Sequence, residues 1–206
     1  MGLSPPCLCA ENGLANHLRR LAFPLTANRQ RSFGASYSSK ETKASQTKPY
    51  GKSVIVPMIL KQKENLPAET KQALKDYVYD IVGCIMEVTR ELPCALPEYI
   101  YQEALAKILA ECGINFHKEY RHHPVFHGVQ LEAFLKMDIM VERERGNIII
   151  ECKAIDKISA HERQQLFSYM IATGFPIGIL VNFANYPHPY IERYYFDKSD
   201  MTLTAF

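Results

Sequence analysis

No stretch of this 206-residue chain reaches the roughly 18 consecutive apolar residues that a membrane-spanning helix needs, so a bilayer is not expected among its surroundings. It has no Walker-type phosphate loop, no Gly-rich dinucleotide fingerprint and no internal repeat, which sets aside nucleotide-driven chemistry and repeat architectures. Cysteine is scattered. The six thiols, at positions 7, 9, 84, 94, 112 and 152, form no CxxC pair, and no secretory signal is read ahead of them. That pattern suits an intracellular, reducing compartment, with the cytoplasm as the default, and not a disulfide framework. Acid is scarce at the N-terminus: residues 1–57 hold eight Lys/Arg against Glu11 and Glu41, a charge of +6, so with +2 overall residues 58–206 carry −4. The foldable part is therefore not broadly basic, and lacks the dense Lys/Arg cover on which indiscriminate polynucleotide binding relies.

What is present, 47% hydrophobic and 22% charged residues, is the profile of one soluble globular domain plus a tail. Residues 1–57 contain Ser, Ala and Arg without sustained apolar periodicity and predict a disordered basic tail. Arg19, Arg20, Arg29 and Arg31 give it a superficial likeness to an organellar transit peptide, although the amphipathic helix of such peptides is poorly formed. A plain tail, or a translation start at Met58, accounts for the same composition. Folded structure is expected over 68–206.

Leu74, Tyr77, Val78, Ile81, Val82, Ile85, Val88 and Leu92 recur at helical spacing and predict one helix, stopped by Pro93. A second opens at Pro97 and ends at Gly113, with Ile100, Ala104, Ile108 and Cys112 expected on its core face. Residues 114–127 alternate weakly, as strand or hairpin. Within them His122, His123 and His127 raise a zinc hypothesis, but adjacent strand residues point to opposite faces and no Cys stands at ligand spacing, so a cationic rim with Arg121, touching phosphate, is the preferred reading. Ser159-Ala-His-Glu162 is a capping box opening a helix that runs to Gly174. Leu166, Phe167, Met170 and Ile171 form its apolar stripe, and His161, Gln165 and Tyr169 follow one another at four-residue spacing on another side. Residues 177–183 read as a short buried strand and 191–196 as an edge strand. This order of elements predicts an α/β sandwich with a mixed central sheet.

The chain is organised around residues 134–153, two apolar runs separated by a charged turn with Gly146, which predict a hairpin. Alternation places Asp138 with Phe134, Lys136 and Met140 on one strand, and Ile149, Glu151 and Lys153 on one face of the next. Alone, a Glu-x-Lys at a strand end is ordinarily a solvated rim pair. Buried ionised groups need partners, however, and a divalent cation between Asp138 and Glu151 would be one. Their hard oxygen donors suit Mg²⁺ or Mn²⁺ better than zinc.

An Asp followed after thirteen residues by Glu-x-Lys resembles the PD-(D/E)xK nuclease superfamily. Within it, residues 70–196 look like the GxxExxY proteins. The motifs are Ala95-Leu-Pro-Glu98-Tyr-Ile-Tyr101 followed by Gln102-Glu-Ala-Leu105, then Gly128-Val-Gln-Leu131, Glu151-Cys-Lys-Ala154, Gln165-Leu-Phe-Ser-Tyr169 and Val181-Asn-Phe183, with Ala95 where the family has Gly. The resemblance implies a restriction-endonuclease-like α/β/α sandwich and Mg²⁺- or Mn²⁺-dependent phosphodiester hydrolysis in DNA or RNA, with DNA the expected partner. It implies metal ligation by Asp138 and Glu151, water assistance by Lys153, and a catalytic set completed by Glu98 and Gln165. Tyr101, Arg121, His161 and Tyr169 are then expected to meet substrate. The alternatives are a catalytically silent nuclease-fold module that binds nucleic acid or protein, and a purely structural domain.

Overall fold

In the computed structural model, which describes residues 61–62 and 66–206, a seven-stranded mixed sheet carries helices on both faces. The expected tail over 1–57 lies outside the described residues. In chain order the elements are β1 (Lys61–Gln62), α1 (Ala68–Tyr77), α2 (Tyr79–Glu91), α3 (Glu98–Glu111), β2 (Phe116–His122), β3 (Val125–Phe126), β4 (Val129–Gln130), β5 (Leu135–Val141), β6 (Ile148–Lys153), α4 (Ala160–Thr173), β7 (Ile177–Asn182), β8 (Tyr190–Asp197) and β9 (Thr202–Ala205). The strands lie in the order β1-β9-β8-β7-β6-β5-β2, with β6–β7 and β1–β9 parallel and the other neighbours antiparallel. β3 and β4 form a separate two-stranded ribbon.

β6 and β7 are central and covered on both faces, which is why Ile148-Ile-Ile150 and Ile177-Gly-Ile-Leu-Val181 are nearly unbroken apolar runs. Ile148, Ile150, Cys152, Ile177, Ile179 and Val181 pack against the α1–α3 layer, and Ile149 and Leu180 pack against α4. α4 approaches so closely at Gly178 that a Cβ there would stand 2.5 Å from the Met170 sulfur and 2.9 Å from Leu166 Cδ1. Its ends match the sequence reading: Ser159 and Glu162 form the reciprocal capping box, and Gly174 closes the helix at φ 71°.

Three features differ from the expectation. The first helix is divided at Val78 (φ −104°, ψ 5°), although Val78 is itself buried and the apolar stripe continues across the break. The core face of α3 is centred one residue on, at Tyr101, Leu105 and Leu109, with Ala104, Ile108 and Cys112 flanking it half-buried. Tyr101 draws the helix round, because its ring stacks on Phe183 at 4.8 Å with planes 3° apart. β8 is not an edge strand: β9 pairs with it and β1 with β9. Strands of two and four residues are too short to show alternation in a sequence. Among the described residues no helix is long and apolar enough to cross a membrane.

The turn before α3 carries a test. Ala95 sits at φ 71°, the left-handed region in which a Cβ costs energy and glycine does not. Ala95→Gly is therefore expected to stabilise the fold by about 1 kcal/mol, measured by urea denaturation. A loss of stability in that variant would show that the turn does not carry this strain.

Candidate functional site

The charged turn between β5 and β6 is held to the helical layer: Arg143 pairs with Asp80 of α2 at 2.5 Å, and the Arg145 N–H donates to the Tyr77 hydroxyl at 3.1 Å. From that anchored end the hairpin runs as a regular ladder, Val141 opposite Ile148 through Ile139 opposite Ile150. At Asp138 the regularity stops. Ile139 and Val141 pack on the α1–α3 side, whereas Met137, which alternation would place with them, packs on the α4 side. β2 changes sides at the same level, with Phe116 on one face and Tyr120 on the other, and Glu119 between them has φ 53°. The ladder between β2 and β5 pairs Lys118 with Ile139 and Tyr120 with Met137, stepping over Glu119 and Asp138. Simple alternation, which set Asp138 with both Lys136 and Met140, is thus not continuous through this point. Such irregularities re-aim side chains next to active sites.

Backbone donors freed by the break turn to carboxylates. The Cys152 N–H donates to Asp138 Oδ2 at 2.9 Å, and the Asp138 N–H reaches Glu151 Oε1 at 3.4 Å. Lys153 Nζ donates to Glu151 Oε2 at 3.4 Å and to Gln165 Oε1 at 3.2 Å, and the Gln165 amide donates to the Tyr169 hydroxyl at 2.9 Å. From the other side, the first turn of α3 brings Glu98, which accepts the Ala154 N–H. Glu98, Asp138, Glu151, Lys153, Gln165 and Tyr169 are thereby brought together at one end of the sheet. His161 stands outward on the same line of α4, lining an open groove with Gln164, Gln165, Ser168 and Tyr169.

Two residues outside the expected set belong to it. Gln102, one turn after Glu98, donates to Glu98 Oε1 at 3.1 Å and also hydrogen-bonds Asp138, linking the two acids. Asn182, buried at the end of β7, accepts the Ile155 N–H at 3.1 Å and donates to the Ile155 carbonyl at 2.6 Å, while the Phe183 N–H donates to the Lys153 carbonyl at 2.8 Å. Those bonds fix the segment that presents Ala154 to Glu98. The signals that could have found these two residues are the four-residue step from Glu98 to Gln102 and an Asn closing an apolar run at Asn182.

Two expected substrate contacts are placed elsewhere. Tyr101 is 1% exposed, and its hydroxyl donates to the Pro93 carbonyl at 2.8 Å and accepts the Leu96 N–H at 3.1 Å, so it holds the turn ahead of Glu98 from inside the core. Arg121 lies over the Phe134 ring at 4.7 Å and is not brought into the hydrogen-bonded cluster.

Burial raises all three acids. Glu151, 1% exposed, is pushed up to about 8 by desolvation and then by the Asp138 charge, against the pull of Lys153. Asp138 and Glu98 are raised, chiefly by burial, with opposing help from the Cys152 N–H and from Lys153 respectively. Burial pulls Lys153 down, but the combined charges of Glu151, Asp138 and Glu98 outweigh it and hold the ammonium above its ordinary value. Lys153 is therefore a fixed positive charge that donates hydrogen bonds, not a free amine. Three acids crowd around Lys153, with Lys136 pulling more weakly on Asp138, and all three hold their protons more tightly than usual, as expected where positive charge is short. Among the described residues no group of three or more His, Cys, Asp or Glu is arranged to hold a metal, the three expected rim histidines included. A cation here would use the Asp138–Glu151 pair and fill its other positions with water, backbone carbonyl or phosphate, which is the habit of Mg²⁺.

α4 is locked over the sheet by Arg163, whose guanidinium makes a two-pronged contact with Glu192 on β8, where the hydroxyls of Tyr190 and Tyr194 also donate. Burial opposes ionisation of Glu192, but Arg163 and the two tyrosines together hold its pKa below the ordinary 4.5. A depressed folded pKa gives stability that is present above 4.5 and lost as pH falls through the folded value. Glu192→Gln is expected to cost about 2 kcal/mol at neutral pH, with the difference from wild type closing below pH 4.5 in urea melts. A difference that persists undiminished into strong acid would show that the ion pair is not its source.

A family model described as the PD-(D/E)XK nuclease superfamily matches residues 75–194, more than half of the chain. No curated protein and no solved structure matches the chain significantly. The matched span runs from the last turn of α1 into β8 and contains the broken strand, the Glu-x-Lys that follows it and the α4 line above them, and on that ground the chain belongs to the PD-(D/E)XK nuclease superfamily.

Proposed function

We propose that residues 68–206 form a nuclease of the GxxExxY kind, which hydrolyses phosphodiester bonds of DNA, or of RNA, with a divalent metal. The observation that carries this is the shortage of positive charge at the broken strand: Glu98, Asp138 and Glu151 converge around Lys153, with Lys136 pulling more weakly on Asp138. Asp138 and Glu151 would hold Mg²⁺ or Mn²⁺. Such an ion, when bound, lowers the pKa of a water and offsets the charge that develops on the transferring phosphoryl group.

The chain's own groups do the rest. Lys153 adds a second, preorganised positive charge, and orients the attacking water with its N–H donors. Gln165 fixes Lys153 and is itself fixed by Tyr169, so the ammonium is aimed before substrate arrives. Glu98, through Gln102, holds the Asp138 carboxylate in place. His161 and Tyr169, along the α4 groove, are the proposed contacts to substrate, with Arg121 further out. A silent binding module draws its support from the −4 charge of residues 58–206, since few Lys/Arg are available for phosphate contacts. Incubating the full chain with end-labelled DNA and RNA, single- and double-stranded, with Mg²⁺, Mn²⁺ or EDTA separates the two. Metal-dependent cleavage of any of these supports the nuclease; binding without cleavage in every arm supports the module.

A further inference from the structure

β3 and β4 are joined by only His127 and Gly128, both with positive φ, 51° and 79°, as a tight two-residue hairpin turn requires. The base of this ribbon is tied down: the Leu131 N–H donates to the Pro124 carbonyl at 2.9 Å, and a His123 ring nitrogen meets the Leu131 carbonyl at 3.0 Å. A ribbon so short cannot bury side chains against itself. Val125, Phe126 and Val129 are 67%, 62% and 68% exposed, apolar residues kept in solvent on an ordered arm.

Its placement says what would cover it. The arm leaves the sheet at the end of β2 and returns at the start of β5, the end at which Asp138 and Lys153 lie, and Leu135 is about 10 Å along the strand from Asp138. Its charge points the same way. In a domain of net negative charge, residues 121–131 contain Arg121 and three histidines and no Asp or Glu, so phosphates are not repelled from the arm. An exposed phenylalanine ring, met edge-on by the His127 ring at 4.2 Å, on an arm whose base carries Arg121 over Phe134, is a combination on which unpaired bases stack while their phosphates are held.

We propose that the β3–β4 arm is a stacking platform for single-stranded nucleic acid and leads a strand toward the carboxylate site, a proposal that rests on the nuclease reading. Phe126 is the stacking ring; Arg121, seated on Phe134, is the phosphate contact at the arm's base. A duplex hides its base faces and has no use for the platform.

The test is fluorescence anisotropy in EDTA, where nothing is cut, with the full chain and short labelled oligonucleotides of single-stranded DNA, single-stranded RNA and blunt duplex. Phe126→Ala is expected to weaken single-strand binding about tenfold and to leave duplex binding within about twofold, whereas Phe126→Tyr, which keeps the ring, binds as wild type. Sedimentation of the same samples reports the oligomeric state. Equal single-strand binding by wild type and Phe126→Ala overturns the proposal, as does a Phe126→Ala variant that alters self-association but not oligonucleotide affinity, which would assign the arm to a second copy of the chain. If wild type binds no nucleic acid in any arm, the platform is lost, and metal-dependent cleavage in the separate incubation with Mg²⁺ or Mn²⁺ decides the nuclease reading by itself. If wild type cleaves in the separate incubation with Mg²⁺ or Mn²⁺ but Phe126→Ala binds single strands as wild type does in EDTA, only the platform is lost.

Discussion

Lys153→Met is expected to lower metal-dependent cleavage by about two orders of magnitude or more while changing nucleic-acid affinity only a few-fold. The side chain lies largely buried, held between Glu151 and Gln165 and kept protonated by the three surrounding carboxylates, so its position and charge are set before substrate binds. A preorganised charge of this kind acts where charge develops, in the transition state, and its loss lowers turnover far more than ground-state affinity. Methionine keeps the length and most of the packing, and the fold is expected to survive. Single-turnover cleavage and anisotropy on the same preparations read the two quantities separately. A loss confined to affinity would place Lys153 in substrate binding and remove it from the chemistry.

The second large effect concerns stability without metal. Glu151 is buried at 1% exposure beside Asp138, and the pull of Lys153 and the Asp138 N–H does not offset that cost, so its pKa stands at about 8. Glu151→Gln has the same shape and no charge. In EDTA at pH 7, above the 4.5 of the free group, where folding must protonate Glu151, it is expected to raise stability by about 2 kcal/mol, or roughly 5 °C in melting temperature for a domain of this size. Wild type is expected to gain stability from millimolar Mg²⁺ or Mn²⁺, because a ligand that binds only the native state stabilises it, and Glu151→Gln is expected to lose that gain. A variant that is less stable than wild type in EDTA, or one that keeps the full metal response, would contradict the two-carboxylate site.

Most of the site was legible in residue spacing. The hairpin of β5 and β6, the Glu-x-Lys on one face of β6 and the His161, Gln165, Tyr169 line on α4 all follow from the periods of strand and helix, and the structure retains them. The break at Asp138 was not legible, because alternation is counted along a strand, whereas the change of side is imposed by two strands together, at Glu119 and Asp138. Tyr101 shows a different limit. Its place in the GxxExxY-like motif marks it as important without saying whether the ring faces solvent, and only packing against Phe183 settles that it supports the turn before Glu98 from within. β1 and β9 were missed because their pairing is non-local and each is too short to display a pattern.

The measurement that bears most directly on the carboxylate site as a centre of hydrolysis is the cleavage rate of wild type and Asp138→Asn, purified identically, on labelled DNA and RNA with Mg²⁺ or Mn²⁺. Asp138 takes the Cys152 N–H at the broken strand, and asparagine can still accept that bond through its amide oxygen, so the substitution removes charge with little change of shape. Wild type is expected to cut only when metal is present, and Asp138→Asn not to cut at all. Equal cleavage by both proteins, or binding without cleavage by wild type on every substrate form, would contradict a catalytic role for this site.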